Sequence, residues 1–391
     1  MNGNFYERFI LDRTPAENAK FNPYYPLIGS GLDDPLIVNG KEFVNLASNN
    51  YLGLATDKRV KEAVIKAVEK YGTSLCGTPI ATGYADLYRN VEQRVAKYLE
   101  LEDAILLPSC YQANNGIFSA LATKDDVILV DHYAHSSLVE GVRSAGCKVR
   151  PFLHNNIESI EKILSRCTDY KTIFVVTESV FSTEGSIAPF KEIVNICKKY
   201  KAIPVIDDSH GIGVIGKNGS GILSHFDIEN FEGIYLTSLG KAFANAGGVI
   251  AGKKSLIDYL RYYCPHLIYS TALTPATLAG IDEVLNIVET EFTQLSEKMI
   301  RYRNIIRNGA KSGGFHLADG GAPITSIVAG NTHETFLLAK QLYENGILST
   351  PFVYPSVPKN EGKIRLIAGA NLLEESVIKA AETIREIGAT R

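Results

Sequence analysis

The chain predicts an α/β domain built on a mainly parallel, seven-stranded sheet, followed by a smaller α+β part. Three observations lead there. Seven short apolar runs recur between residues 104 and 251 and alternate with helical stretches, an order that builds a parallel sheet. Several of those runs are apolar almost throughout, as strands covered on both faces must be. Beyond residue 311 the pattern changes to two strands and two helices in a short remainder.

The elements follow in order. Residues 1 to about 45 contain Phe21-Asn-Pro-Tyr-Tyr-Pro26 and read as an arm lying on another surface, a device that often helps build a dimer. From Asp57, Val60, Ala63, Val64, Ala67, Val68 and Tyr71 recur at helical spacing, and Gly72 stops the helix. A second helix is expected from Ala85 to Leu99, with Leu87, Val91, Val95 and Tyr98 on one face. The seven runs are 104–108, 127–130, 149–153, 172–176, 203–206, 234–236 and 248–251. A long helix from Pro275 to about Lys311 leads to strands at 324–328 and 363–367 and helices near 333–345 and 374–387. The expected division is an arm over 1–45, a large domain over 46–285 and a small C-terminal domain over 286–391.

Composition narrows the function. Forty basic and 43 acidic side chains among 391 residues give a net charge of −3 without long runs of one sign, which does not favour a nucleic-acid or membrane surface. Six cysteines, at 76, 110, 147, 167, 197 and 264, form no C-x-x-C pair, so neither a metal site nor a disulfide framework is indicated. Reduced thiols, the absence of a signal-like apolar segment near Met1 and the lack of a bilayer-length apolar stretch point to a cytoplasmic protein.

In open α/β sheets ligands sit at the carboxyl ends of the strands, and the residues following the runs form a set. Tyr235-Leu-Thr-Ser-Leu-Gly-Lys-Ala-Phe243 delivers Lys241 at a turn after two hydroxyls. An enzyme that holds pyridoxal 5′-phosphate (PLP) needs a Schiff-base amine there, with Thr237 and Ser238 available to the phosphate. Asp207-Asp-Ser-His-Gly211 offers Asp207 to keep the pyridine nitrogen protonated and His210 to hydrogen-bond the phenolic oxygen. Asp131-His-Tyr-Ala-His135 offers an imidazole to stack on the ring; His135 fits better than His132, and spacing does not exclude the neighbour. Ser109, Cys110 and Tyr111 open a helix whose free N–H groups suit a phosphate. Glu178 and Ser182, after run 172–176, would orient groups at the ring's edge. Singly, each has a plain alternative: a loop lysine, a capping aspartate, a structural histidine. Their succession, each after its own strand with the lysine last, is what singles out PLP.

The chain resembles the α-oxoamine synthase family, PLP enzymes of the aspartate-aminotransferase fold class. Matching segments include Ser48-Asn-Asn-Tyr-Leu-Gly-Leu54, Ser109-Cys-Tyr-Gln-Ala-Asn114, Thr177-Glu-Ser-Val-Phe-Ser182, Asp207-Asp-Ser-His-Gly211, Ser238-Leu-Gly-Lys241, His266-Leu-Ile-Tyr-Ser-Thr271, Tyr354-Pro-Ser-Val-Pro358 and Ile364-Arg365. The resemblance implies a homodimer with a shared active site, in which Ser270 or Thr271 of the other subunit reaches the phosphate. It implies that Asn49 and Arg365 hold a substrate carboxylate. The implied reaction joins an amino acid to an acyl thioester, on CoA or a carrier protein, with loss of CO2 in most members. Lys241 would act as Schiff-base lysine and Cα proton acceptor, and His135, Asp207 and His210 would stabilise the developing charge. Transamination, racemisation or a non-decarboxylating condensation is the alternative chemistry on the same cofactor, and a catalytically silent scaffold is the alternative class, against which Lys241 argues.

Three departures concern the substrate pockets. Thr78-Pro-Ile-Ala-Thr-Gly83 stands where many members carry an arginine or histidine, Tyr88 replaces a family histidine, and Asn371 replaces another. Apolar Pro79 and Ile80 suggest an uncharged acyl chain.

Overall fold

A computed structural model describes residues 5–10, 12–318 and 320–391; residues 1–4 and 11 of the expected arm lie outside the described residues. All seven runs are strands of one sheet: β1 (Asp103–Leu107), β2 (Val127–Asp131), β3 (Lys148–Phe152), β4 (Ile173–Glu178), β5 (Ile203–Asp207), β6 (Ile234–Ser238) and β7 (Gly248–Gly252). Their order is β1-β7-β6-β5-β4-β2-β3. Strands β2 to β6 run parallel, and β7 is antiparallel to both its neighbours. The reason is the connection: residues 239–247 are too few for a crossover, so the chain turns back beside β6. That short return carries Lys241.

Alternation along each strand sends side chains to opposite faces. Leu106, Leu129, Val175, Ile206 and Tyr235 enter one core layer, while Ile105, Ile128, Val176, Val205 and Leu236 enter the other. Every residue of β1, β2, β4 and β7 is buried, which explains why these runs read as continuously apolar.

The expected long helix is Pro275–Ser312, 38 residues, capped by Thr274, whose hydroxyl accepts the Thr277 N–H. It serves both domains: residues up to Met299 pack in the large core, and from Tyr302 they pack in the small one. The division expected after residue 285 falls inside this helix. In the small domain Gly362–Leu366 lies between Thr325–Gly330 and Thr350–Phe352, antiparallel to both. Part of the arm belongs here too. Leu36–Val38 and Lys41–Asn45 form a hairpin whose second strand pairs with Ile347–Leu348. Strands of two to five residues leave little periodicity to read, which is why the sequence there reads as an arm without strands.

The two domains meet at a chain of partly buried, alternating charges. Asp131, at the end of β2, accepts from His154 Nδ1 at 3.1 Å, and the other imidazole nitrogen lies 3.4 Å from Glu184. Glu184 accepts from Lys363 Nζ, on the small-domain strand, at 2.6 Å. Burial alone would lower the His154 pKa, but its bonds to Asp131 and Glu184 overcome this and raise it to about 9. Hydrogen bonding from His154, and then from Lys363, holds Glu184 at about 2 against the opposing effect of burial.

The sign of the pH effect follows. A raised histidine contributes stability in full below its ordinary 6.5 and loses it as pH rises through 9. A depressed carboxylate contributes in full above its ordinary 4.5 and loses it as pH falls through 2. The thermal-stability deficit of His154→Gln is therefore expected to be greatest between pH 4.5 and 6.5 and to shrink on both sides. Because solvent screens these partly exposed groups, the loss on breaking the pair is expected to be roughly 1 kcal/mol. A deficit that grew from pH 7 to pH 10 in calorimetry would contradict the charge assignment.

Candidate active site

The carboxyl ends of β2, β4, β5 and β6 open onto one cavity of about 780 Å³. Asn49, His135, Glu178, Ser182, His210, Lys241 and Arg365 all line it. The Lys241 amine forms no hydrogen bond or ion pair among the described residues, and burial lowers its pKa against the opposing pull of Asp207.

Asp207, at the end of β5, is 5 % exposed and accepts from Asn114 Nδ2 at 2.7 Å and from Ser209 N–H at 3.0 Å. The same amide donates to Ser137 Oγ at 2.9 Å, so the Ser137 hydroxyl is left to donate to His135 Nδ1, 2.7 Å away. The amide's orientation needs no further assumption, because a carboxylate can only accept and must face NH2. His135 Nδ1 is thereby an acceptor, and its proton sits on Nε2. Burial, and secondarily Lys241, lowers the His135 pKa and keeps the ring neutral. Asn114 and Ser137, both almost fully buried, are the site residues that inspection of strand ends missed. The signal was present: each lies within five residues of an expected one.

His210 is also neutral. The Tyr51 hydroxyl lies 2.9 Å from His210 Nδ1, and burial raises the Tyr51 pKa, so the phenol keeps its proton. Burial and Lys241 push the His210 pKa well down, leaving an uncharged ring. Glu178 accepts the His135 backbone N–H at 2.6 Å, and its pKa is raised to about 8, by burial first and by Asp207 second.

The helix Cys110–Leu121 begins at β1, with Ser109 Oγ accepting the Gln112 N–H. Its first-turn N–H groups at Cys110 and Tyr111 have no intrahelical acceptors. The turn packs against β7 because Gly248 lacks a Cβ, which would lie 2.4 Å from Ser109 O. Cys110 Sγ sits 3.9 Å from both Asp207 oxygens, and burial raises its pKa. The Tyr111 hydroxyl donates to Glu140. Ser238 Oγ accepts the Gly240 N–H at 3.2 Å, while the Thr237 hydroxyl is buried without a partner. Ser270 Oγ accepts from Gln112 Nε2 of its own chain at 3.1 Å, beside that helix start, and Thr271 is exposed.

Arg365 is 6 % exposed, with its guanidinium 5.0 Å from the Phe352 ring centroid. No carboxylate lies within ion-pair reach among the described residues; its one protein bond is a 3.4 Å contact to Ser182 O, and its Nε is unsatisfied. Asn49 Oδ1 is likewise buried and unpartnered. His132 bonds Phe152 O and does not line this cavity. The departure positions also lie elsewhere in their own chain. Tyr88 is buried and donates to Leu106 O, Asn371 donates to Leu32 O, and Ile80 is 53 % exposed.

PLP fits these residues by their chemistry: a free amine at Lys241, an orphaned hydroxyl at Thr237, a helix start and a carboxylate held by two donors are the groups that its aldehyde, phosphate and pyridine nitrogen would need. Fold and site thus define a PLP-dependent enzyme of the aspartate-aminotransferase type. The family model for aminotransferase class I and II matches residues 41–384. An 8-amino-7-oxononanoate synthase of Thermosipho melanesiensis is 34% identical over 383 residues, 98% of each chain. One of Thermoanaerobacter pseudethanolicus is 34% identical over 353 residues, covering 90% of this chain and 89% of its own. Among solved structures, the serine palmitoyltransferase of S. paucimobilis superposes with a TM-score of 0.93 at 23% identity over 99% of both chains. The 8-amino-7-oxononanoate synthase of Francisella tularensis gives 0.75 at 27% identity, over 88% of this chain and 97% of that one. The chain belongs to the α-oxoamine synthase family, PLP-dependent acyltransferases within the aminotransferase class I and II fold. Among the described residues no helix is long and apolar enough to cross a membrane.

Proposed function

We propose that this enzyme condenses an amino acid with an acyl thioester, releasing the free thiol and CO2 and leaving an α-amino ketone. The observation that carries the reading is a buried guanidinium without a counter-ion, Arg365, in the same cavity as the unpartnered amine of Lys241. When bound, PLP supplies an aldehyde that condenses with amines and a protonated ring that accepts an electron pair from the amino acid's Cα.

Arg365 takes the substrate carboxylate, because desolvation without a partner leaves its charge uncompensated until an anion arrives. Asn49 adds a neutral contact. Lys241, whose burial favours the uncharged amine, takes the Cα proton. Asp207, oriented by Asn114, holds the pyridine nitrogen's proton, and the Nε2–H of His135, with the neutral ring of His210 in the same cavity, serves oxygens at the reacting centre. The N–H groups of Cys110 and Tyr111, with the hydroxyls of Thr237 and Ser238, hold the phosphate. A homodimer completes the site: Tyr269, 86 % exposed beside Ser270, offers apolar surface for a second copy.

Incubating the PLP-loaded enzyme with a matrix of amino acids and acyl thioesters on CoA or carrier protein tests this. Thiol and CO2 should appear in equal amounts, with a product of matching mass. Thiol release without CO2 would remove the decarboxylation, and no thiol release with any pair would remove the acyl transfer. Within the matrix, uncharged acyl chains are expected to react faster than succinyl-type donors.

A further inference from the structure

We propose that Glu184 and Lys363 form a positioning clamp across the domain junction that fixes the strand carrying Arg365 and thereby sets affinity for the amino acid's carboxylate. The inference rests on the reading of Arg365 given above.

Arg365 itself is weakly held. Its protein contacts are one 3.4 Å bond to Ser182 O and a stacked ring, so the guanidinium's place depends on where its strand lies. Lys363 is two residues away, and side chains two apart on a strand share a face. Both therefore project from Gly362–Leu366 toward the loop 182–186 of the large domain. Lys363 meets Glu184 there at 2.6 Å, with side-chain exposures of 11% and 12%. Opposite Arg365 on the neighbouring strand, Ser326 Oγ donates to Thr183 O at 2.7 Å, which ties that strand to the same loop.

Glu184 is fixed from its far side. His154 Nε2 approaches Oε1 at 3.4 Å, and the Ser186 hydroxyl donates to the same oxygen at 3.2 Å. His154 is in turn held by Asp131, which also accepts the Tyr133 and Asn155 N–H groups. Asp131, His154, Glu184 and Lys363 thus run as −, +, −, + from the end of β2 to the small domain. A buried ion pair adds little net stability over an apolar contact. What it adds is geometry: a short charge-assisted bond tolerates little sliding, so it fixes the strand to within the few tenths of an ångström that a two-point carboxylate contact needs.

The test uses PLP-loaded full-length protein without any acyl donor and reads binding from visible absorbance. Glycine, L-alanine and L-serine are the probes, of which the tightest is carried forward, together with ethanolamine, a primary amine without a carboxylate. Glu184→Gln and Lys363→Met are expected to weaken the amino acid by roughly 3- to 30-fold. Ethanolamine affinity should hold, and Lys363→Arg should restore most of the loss. Equal weakening of both probes would mark general damage to the cavity and overturn the clamp, as would unchanged affinity for both. Glu184→Asp, which keeps the charge and shortens the reach, provides the same contrast if a neutral variant folds poorly. Arg365→Lys is measured in parallel. If it fails to discriminate amino acid from ethanolamine, the reading of Arg365 falls; if it discriminates and the Glu184 and Lys363 variants do not, the clamp alone falls.

Discussion

Lys241→Ala is expected to lower turnover by roughly 10⁴-fold, the upper end of what one positioned general base contributes. The size follows from the surroundings. The amine lines the cavity without a protein partner, and no other lysine lines that cavity to replace it. The covalent attachment of the cofactor should vanish with it: the visible absorbance of lysine-linked PLP should shift to that of the free aldehyde, and borohydride should no longer fix PLP to the chain. A variant retaining more than a tenth of the parent rate would end the assignment. Retained rate with lost absorbance would separate the anchoring role from the proton-transfer role.

The second large effect is expected at Asp207. Asp207→Asn preserves size and removes a charge, and turnover should fall by roughly 10²- to 10³-fold, equivalent to about 3–4 kcal/mol of lost transition-state stabilisation. Asn114 sharpens the reason. Its amide donates to both Asp207 and Ser137, so an amide at 207 presents either a second NH2 against the first or an oxygen without charge. The disturbance should reach His135 through Ser137, and the pH profile should change shape as well as height. Rates within threefold of the parent, with an unchanged profile, would remove Asp207 from the chemistry.

Much of this architecture could be read directly. The strands show as apolar runs, most fully where β1, β2, β4 and β7 are covered on both faces, and the long helix shows from Pro275 onward. Strand ends point to ligand sites in any open α/β sheet, which is why Lys241, Asp207, His210, His135, Glu178 and the Ser109 turn could be picked out. Less legible were Asn114 and Ser137. Polar residues near a helix start look like ordinary surface residues until the fold places Asn114 within bonding distance of Asp207 and of Ser137, which in turn meets His135. The short strands at 36–45 were invisible for want of length.

The sequence by itself determined the sheet, the order of its strands along the chain and the cofactor chemistry, because burial pattern and strand-end residue type are local properties. Only the tertiary structure decided which nitrogen of His135 carries the proton, that Arg365 is buried without a counter-ion, and that Tyr88 and Asn371 are tied to backbone carbonyls away from the cavity of their own chain. Each depends on distances between residues tens to hundreds of positions apart, and hydrogen bonding and desolvation act over a few ångströms. Lys363 and Glu184, 179 positions apart in the chain and 2.6 Å apart in space, show the difference most plainly.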